Sequence, residues 1–244
     1  MKTKIIALAL FFFLTGYAQG ATALKLDSDL LDLYKTFHQN PELSLKEEKT
    51  ASLFAKALEK EGMKVTFPFS GTGVVGVFQN GAGKTILLRT DLDALPITEE
   101  TSLPFASKKK VVSKSGIEVG VMHACGHDIH MTNLIGAVRN LIKNKSKWHG
   151  TIVAIGQPAE EIGQGARDML AAGLLNKFPR PDYALAFHVD SHLPAGTLGY
   201  VTGPVMAAAD SVDIIITGKG GHGALPQENI DPVVIASRFV LDLQ

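Results

Sequence analysis

Cysteine is nearly absent: Cys125 is the single one in 244 residues. A disulfide framework within the chain is therefore excluded, and one thiol is left to be explained. An excess of one charge is also missing. Lys and Arg total 24 and Asp and Glu total 24, so no basic field points to nucleic acid or to an anionic membrane surface. Repeats and low-complexity tracts are lacking. With 45% hydrophobic residues, disorder is excluded as the main state, and the length is enough for a real core.

The start of the chain reads as a leader. Lys2 and Lys4 precede the apolar run Ile5–Leu14, which is far short of the about 20 residues a membrane-spanning helix needs. Ala18-Gln19-Gly20 before Ala21 has the small-x-small pattern of a cleavage site. Residues 1–20 are thus expected to be a secretory signal peptide, with the mature protein periplasmic or secreted and no membrane partner. In an oxidising compartment an unpaired Cys125 must be buried or held by something else.

Beyond the leader, apolar spacing predicts helices and strands in alternation. Leu30, Leu31, Leu33, Tyr34 and Phe37 follow Ser28, a candidate N-cap. Ser44 with Glu47 fits a capping box ahead of the stripe Leu53, Phe54, Ala57 and Leu58. Val74–Phe78 and Thr85–Leu88 flank Asn80-Gly81 and read as a strand pair joined by a turn. Ile129–Ile142 and Ala166–Ala172 read as helices, Thr151–Ile155 and Tyr183–Phe187 as buried strands, and Val212–Thr217 as another strand. Lys108-Lys109-Lys110 reads as a solvated loop. The pattern predicts an α/β fold with helices on both faces of the sheet.

Polar residues gather where these strands end. Thr85–Leu88 leads to Arg89-Thr90-Asp91-Leu92-Asp93, Thr151–Ile155 to Gln157-Pro158-Ala159-Glu160-Glu161, and Tyr183–Phe187 to His188. His123-Ala124-Cys125-Gly126-His127-Asp128 stands directly before a helix. If the strands are parallel neighbours, all four segments open onto one crevice at their carboxyl ends. Cys125, His127, His188 and a carboxylate from Glu160-Glu161 form a donor set that suits a transition metal. Such an ion would hold Cys125 as thiolate and protect it from pairing.

Pro158 keeps Gln157 extended, and Gly163 and Gly165 delay the next helix. Glu160 and Glu161 then sit on a turn where their side chains diverge. One can reach a metal while the other stays free as a general base. Asp91 and Asp93 are two apart on an extended segment and face one way, so one of them can orient a ligating histidine. Gly218-Lys219-Gly220-Gly221-His222-Gly223 matches a dinucleotide fingerprint in form only. Pro226 comes too soon for the helix that motif requires, and a glycine loop presenting His222 is the better reading.

The chain resembles the amidohydrolase branch of the dinuclear-metal carboxypeptidase family, which holds hippurate hydrolases, N-acyl-amino-acid amidohydrolases and auxin–amino-acid conjugate hydrolases. The resemblance runs in order through Phe37–Ser44, Arg89–Ile97, Met122–Asp128, Gln157–Glu161, Phe187–Asp190 and Gly220–Pro226. It implies that Cys125, His127, Glu161 and His188 are metal ligands. It implies that Glu160 is the base that activates water and then protonates the leaving amine. Asp93 matches the aspartate behind the ligands. His222 matches a lid-domain histidine that stabilises the oxyanion in a partner subunit's site. The cofactor implied is a pair of divalent ions, Mn2+ or Zn2+, and the substrate an N-acyl amino acid or small peptide.

The fold implied is a mixed-sheet catalytic domain (residues 21–205) interrupted by an α+β lid and dimerisation domain (206–244 being its start), with a homodimer for the full-length form. In the family the lid continues past the position of Gln244, and the remaining catalytic part carries one more ligating histidine. Two functions follow as expectations: a metal-dependent amidohydrolase, or a truncated metal-binding remnant without catalysis.

Overall fold

A computed structural model describes residues 27–112, 116–206, 208, 210 and 212–244. The expected leader lies outside the described residues. The described residues up to Ser191 form one compact unit and His192–Gln244 a second. Among them no helix is long and apolar enough to cross a membrane.

The first unit opens with α1 (Ser28–Gln39) and α2 (Glu48–Lys60), followed by β1 (Lys64–Phe69), β2 (Gly73–Asn80) and β3 (Thr85–Asp91). A small antiparallel pair, β4 (Lys110–Val112) and β5 (Glu118–Gly120), precedes α3 (His127–Lys143). Next come β6 (Gly150–Gln157), α4 (Gly165–Ala171), α5 (Leu174–Lys177) and β7 (Tyr183–Ala186). The main sheet has the order β1-β2-β6-β3-β7. β2 runs antiparallel to both of its neighbours, β1 and β6, whereas β6, β3 and β7 run parallel. The sheet is mixed, as expected.

Alternation along the strands divides the core between two faces. Val74, Ile152 and Ala154 face α1, α2 and α3, where they meet Phe37, Phe54, Leu58, Met131 and Ile135. Val75, Val153 and Ile155 face the other way, toward Met169 of α4 and Leu174 of α5. Each fully buried Val, Leu, Ile, Phe or Met among them contributes roughly 1.5–3 kcal/mol of transfer free energy.

Four local expectations are corrected. Val74–Phe78 and Thr85–Leu88 are strands, but they do not pair; β6 lies between them. Its run Ile152–Ile155 is buried on both faces and takes a partner on each side. Residues 81–84 step across its start, where Lys84 O accepts the Thr151 N–H at 2.9 Å. That step covers two strand spacings, roughly 9–10 Å. Ser28 is the first helical residue, with Asp27 at the N-cap position and no side-chain cap. The capping box does not form either. Ser44 and Glu47 turn inward to other partners, and α2 starts at Glu48 without a side-chain cap. Finally, β7 is not buried: Tyr183 is 61% and Leu185 59% exposed.

Gly165 opens α4 rather than delaying it. Pro158 O lies 1.6 Å from where its Cβ would stand, so no other residue fits there.

The second unit holds α6 (Pro232–Leu243), capped by Asp231, whose Oδ1 accepts the Val233 N–H at 2.8 Å. Residues 212–217 are not a strand. They have no ladder partner among the described residues, and pairing is confined to an isolated Lys219–Ile230 bridge. The glycine loop at Gly218–Gly223 is followed by a single 3-10 turn, Pro226–Glu228, and not by a dinucleotide-binding helix.

Candidate active site

The parallel strands β3, β6 and β7 end side by side, in register Asp91↔Gln157 and Arg89↔Ala186. The Leu92 N–H to Gln157 O bond, 3.0 Å, carries the junction one residue beyond the sheet. The segments singled out from the sequence therefore meet at one edge.

His127, the first residue of α3, is the centre of the group and is 1% exposed. Its Nδ1 donates to the backbone carbonyl of Asp93 at 2.8 Å. That bond fixes the tautomer and leaves Nε2 as a bare acceptor. Nε2 is buried without a hydrogen-bond partner. Around it stand Asp91 Oδ2 at 3.9 Å, Glu160 Oε2 at 3.9 Å and Glu161 Oε1 at 3.8 Å. Glu161 Oε1 is likewise buried and unpartnered.

Cys125 and His127 are brought onto one side by Gly126, whose φ of 77° is left-handed. A Cβ there would meet Val189 Cγ2 at 2.5 Å. Cys125 Sγ lies 3.3 Å from His188 Nε2. His188 is aimed by its own Nδ1, which donates to Val189 O at 2.7 Å. The ligand atoms of Cys125, His127 and His188 fall within 4.8 Å of one another, and so do those of His127, Glu160 and Glu161. A third group, Asp91, His127 and His130, is as close, so His127 is common to all three triads, and its one free lone pair can serve only one ion.

Burial dominates the electrostatics of the site. Burial, with Glu161 and Glu160 adding to it, pushes the Cys125 thiol up to about 12. Burial also raises Asp91 to about 6, opposed by Arg89 and His127. Burial would raise Asp93 too, but hydrogen bonds from His127, Ser44 and the Glu161 and Glu160 amides hold it down to about 2. Asp93 thus stays a carboxylate behind His127, accepting Ser44 Oγ–H at 2.6 Å and Glu161 N–H at 3.0 Å. The orphaned Nε2 and Oε1 atoms, a thiol beside them and surplus carboxylates are a donor set that a divalent transition metal fits.

Peptidase family M20/M25/M40 is matched over residues 87–240, a stretch that contains every residue of this cluster. The chain belongs to that family. Thermostable carboxypeptidase 2 of Saccharolobus solfataricus is 43% identical over 211 residues, covering 85% of this chain and 51% of that protein. N-acetylcysteine deacetylase of Bacillus subtilis is 40% identical over 217 residues, covering 88% and 54%. The YXEP protein of Bacillus subtilis, a dinuclear metal-binding peptidase of family M20, superposes with a TM-score of 0.65 at 37% identity, covering 72% of this chain and 46% of that one. This M20 chain spans about half the length of the curated relatives it matches.

Of the residues expected in the M20 site, Cys125, His127, Glu160, Glu161, His188 and Asp93 come together in the first unit. His222 lies in the second, exposed, with its Nδ1 accepting the Ala224 N–H at 3.1 Å. Two residues were missed. His130 sits one turn after His127 on the same face of α3, with ring centroids 5.3 Å apart. Its Nε2 accepts the Val189 N–H at 3.0 Å, so it holds the segment that carries His188. The i, i+3 histidine spacing was the available signal. Glu47 was the other, hidden because its spacing imitates a helix cap.

Proposed function

We propose that this M20 protein is a metal-dependent amidohydrolase that cleaves the amide of an N-acyl amino acid or a small peptide. The observation that carries the reading is the bare, buried His127 Nε2 with Glu160 Oε2 and Glu161 Oε1 3.9 and 3.8 Å away. The N-acetylcysteine deacetylase and carboxypeptidase relatives support the substrate class.

In this reading His127, Glu161, Cys125 and His188 hold the metal, Zn2+ or Mn2+, with the thiolate favouring Zn2+. A bound pair of ions would polarise the substrate carbonyl and lower the pKa of water. Glu160, more exposed than Glu161, faces the crevice and takes the proton of the attacking water at its carboxylate. It then returns that proton to the departing amine. Asp93 keeps His127 in the tautomer whose Nε2 points inward. Export through the leader of residues 1–20, dimerisation through residues 206–244 and an oxyanion contact from His222 complete the proposal. N-terminal sequencing of the mature protein and its mass in solution test the first two.

The central test is hydrolysis of a panel of N-acyl amino acids by the wild-type protein and by Glu160→Gln. The expected loss is about 10²–10⁴-fold in turnover with metal content unchanged. Equal rates would remove Glu160 from the role of base.

A further inference from the structure

We propose that Glu47 is a positioning residue for the metal site: it holds the turn that carries Glu160 and Glu161. The inference rests on the metal-dependent reading above.

Glu47 lies just before α2 and is completely buried. Its Oε1 accepts the Ala159 N–H at 2.8 Å and the Leu45 N–H at 2.9 Å. Its Oε2 accepts the Thr72 hydroxyl at 2.6 Å. Thus one carboxylate accepts hydrogen bonds from three separate segments. Ala159 is the residue that matters. It is buried, precedes the Glu160-Glu161 pair, and has φ 50°, in the left-handed region that a residue with a Cβ rarely adopts.

Pro158 has no N–H. The Ala159 amide is therefore the first donor after β6 and points into the interior, away from water. Glu47 supplies its acceptor. Two residues later Asp93 supplies the acceptor for the Glu161 N–H at 3.0 Å. Glu160 lies between two amides that are each tied to a buried carboxylate. A turn with ordinary negative φ at Ala159 would redirect the Ala159 N–H and swing both glutamates away from His127. Leu45 is also left-handed, with φ 66°, so a single oxygen holds two such residues in place.

What the arrangement needs from Glu47 is reach, not charge. Glutamine keeps an acceptor at the Oε1 position and can donate to the Thr72 hydroxyl. Aspartate keeps the charge but is one methylene too short.

The test is Co2+ binding to the full chain, read by the visible and thiolate absorption bands, for wild type, Glu47→Gln, Glu47→Asp and Glu161→Gln. With Glu47 in this role, E47Q binds within about threefold of wild type, while E47D loses about 10–100-fold and shows an altered spectrum. E47D matching wild type while E161Q loses affinity would overturn the positioning role and leave the metal centre standing. E47Q weaker than E47D would make Glu47 a source of charge, and would also overturn it. Wild-type protein that takes up no Co2+, or E161Q binding as tightly as wild type, would overturn the metal-centre reading and this inference with it. Amide exchange in the wild-type protein needs no variant: the Ala159 N–H is expected to be strongly protected, and exchange at the rate of a free amide would sink the proposal.

Discussion

At the scale of single residues, Gly126 shows how little freedom the site has. Its left-handed φ of 77° and the Val189 methyl 2.5 Å from a would-be Cβ act together. Gly126→Ala must strain the backbone or push back the segment holding His188. The expected cost is about 1–3 kcal/mol in unfolding free energy, with weaker metal uptake, measured by urea denaturation and metal titration. An alanine variant as stable and as metal-competent as wild type would show that the turn is not constrained. The chemistry at this scale was legible in sequence because thiol, imidazole and carboxylate are rare, specific donors. Cys125, His127, His188 and the Glu160-Glu161 pair could be singled out from residue type and from the strand ends they follow. Glu47 could not, because its neighbours in sequence offer a helix cap and only the fold turns it toward the site. The i, i+3 spacing puts His130 on the face of His127, but only the fold shows that it holds the Val189 amide.

At the scale of elements, the link between α1 and α3 is ionic as well as apolar. His38 of α1 is buried between two carboxylates: Nδ1 donates to Asp128 Oδ2 at 2.7 Å and Nε2 to Glu99 Oε1 at 3.0 Å. Two donations require the imidazolium. Burial alone would lower the pKa of His38, but hydrogen bonds to Glu99 and Asp128 outweigh it and the net shift is upward. The folded state then favours the proton relative to the unfolded chain. The stability this gives is fully present below the unfolded histidine value of about 6.5 and is lost as pH rises through the higher folded pKa. Comparing wild type with His38→Gln, the unfolding free energies should differ by about 2 kcal/mol at pH 6 and converge on raising the pH. A gap that widens with pH would mean that His38 is neutral in the fold. Asp128 adjoins His127, so the same bonds anchor the first turn of α3, where the site begins. The strands behind that turn were legible from their branched residues, and their common direction from the polar segments at their ends. The neighbour of each strand was not. Asn80-Gly81 carries the local signal of a hairpin, and only the two-sided burial of Ile152–Ile155 decides that β6 enters between β2 and β3.

For the whole molecule, the described chain is two compact units with different relations to the cluster. All the close ligand atoms lie before Ser191, whereas His222 and α6 belong to the unit that starts at His192. A cation that binds the folded cluster and not the unfolded chain adds RT ln(1 + [M]/Kd) to the stability of the first unit. That is about 2.7 kcal/mol at a hundredfold excess over Kd, or roughly 5–10 °C in melting temperature for a domain of this size. Adding Zn2+ or Mn2+ to chelator-treated protein should therefore raise the transition of the first unit, followed by the fluorescence of Trp148, the single tryptophan. His127→Ala removes the lone pair common to all three triads and should abolish the rise. If the variant responded as strongly as wild type, the cation would be binding elsewhere. The convergence of β3, β6 and β7 would then not be a metal centre.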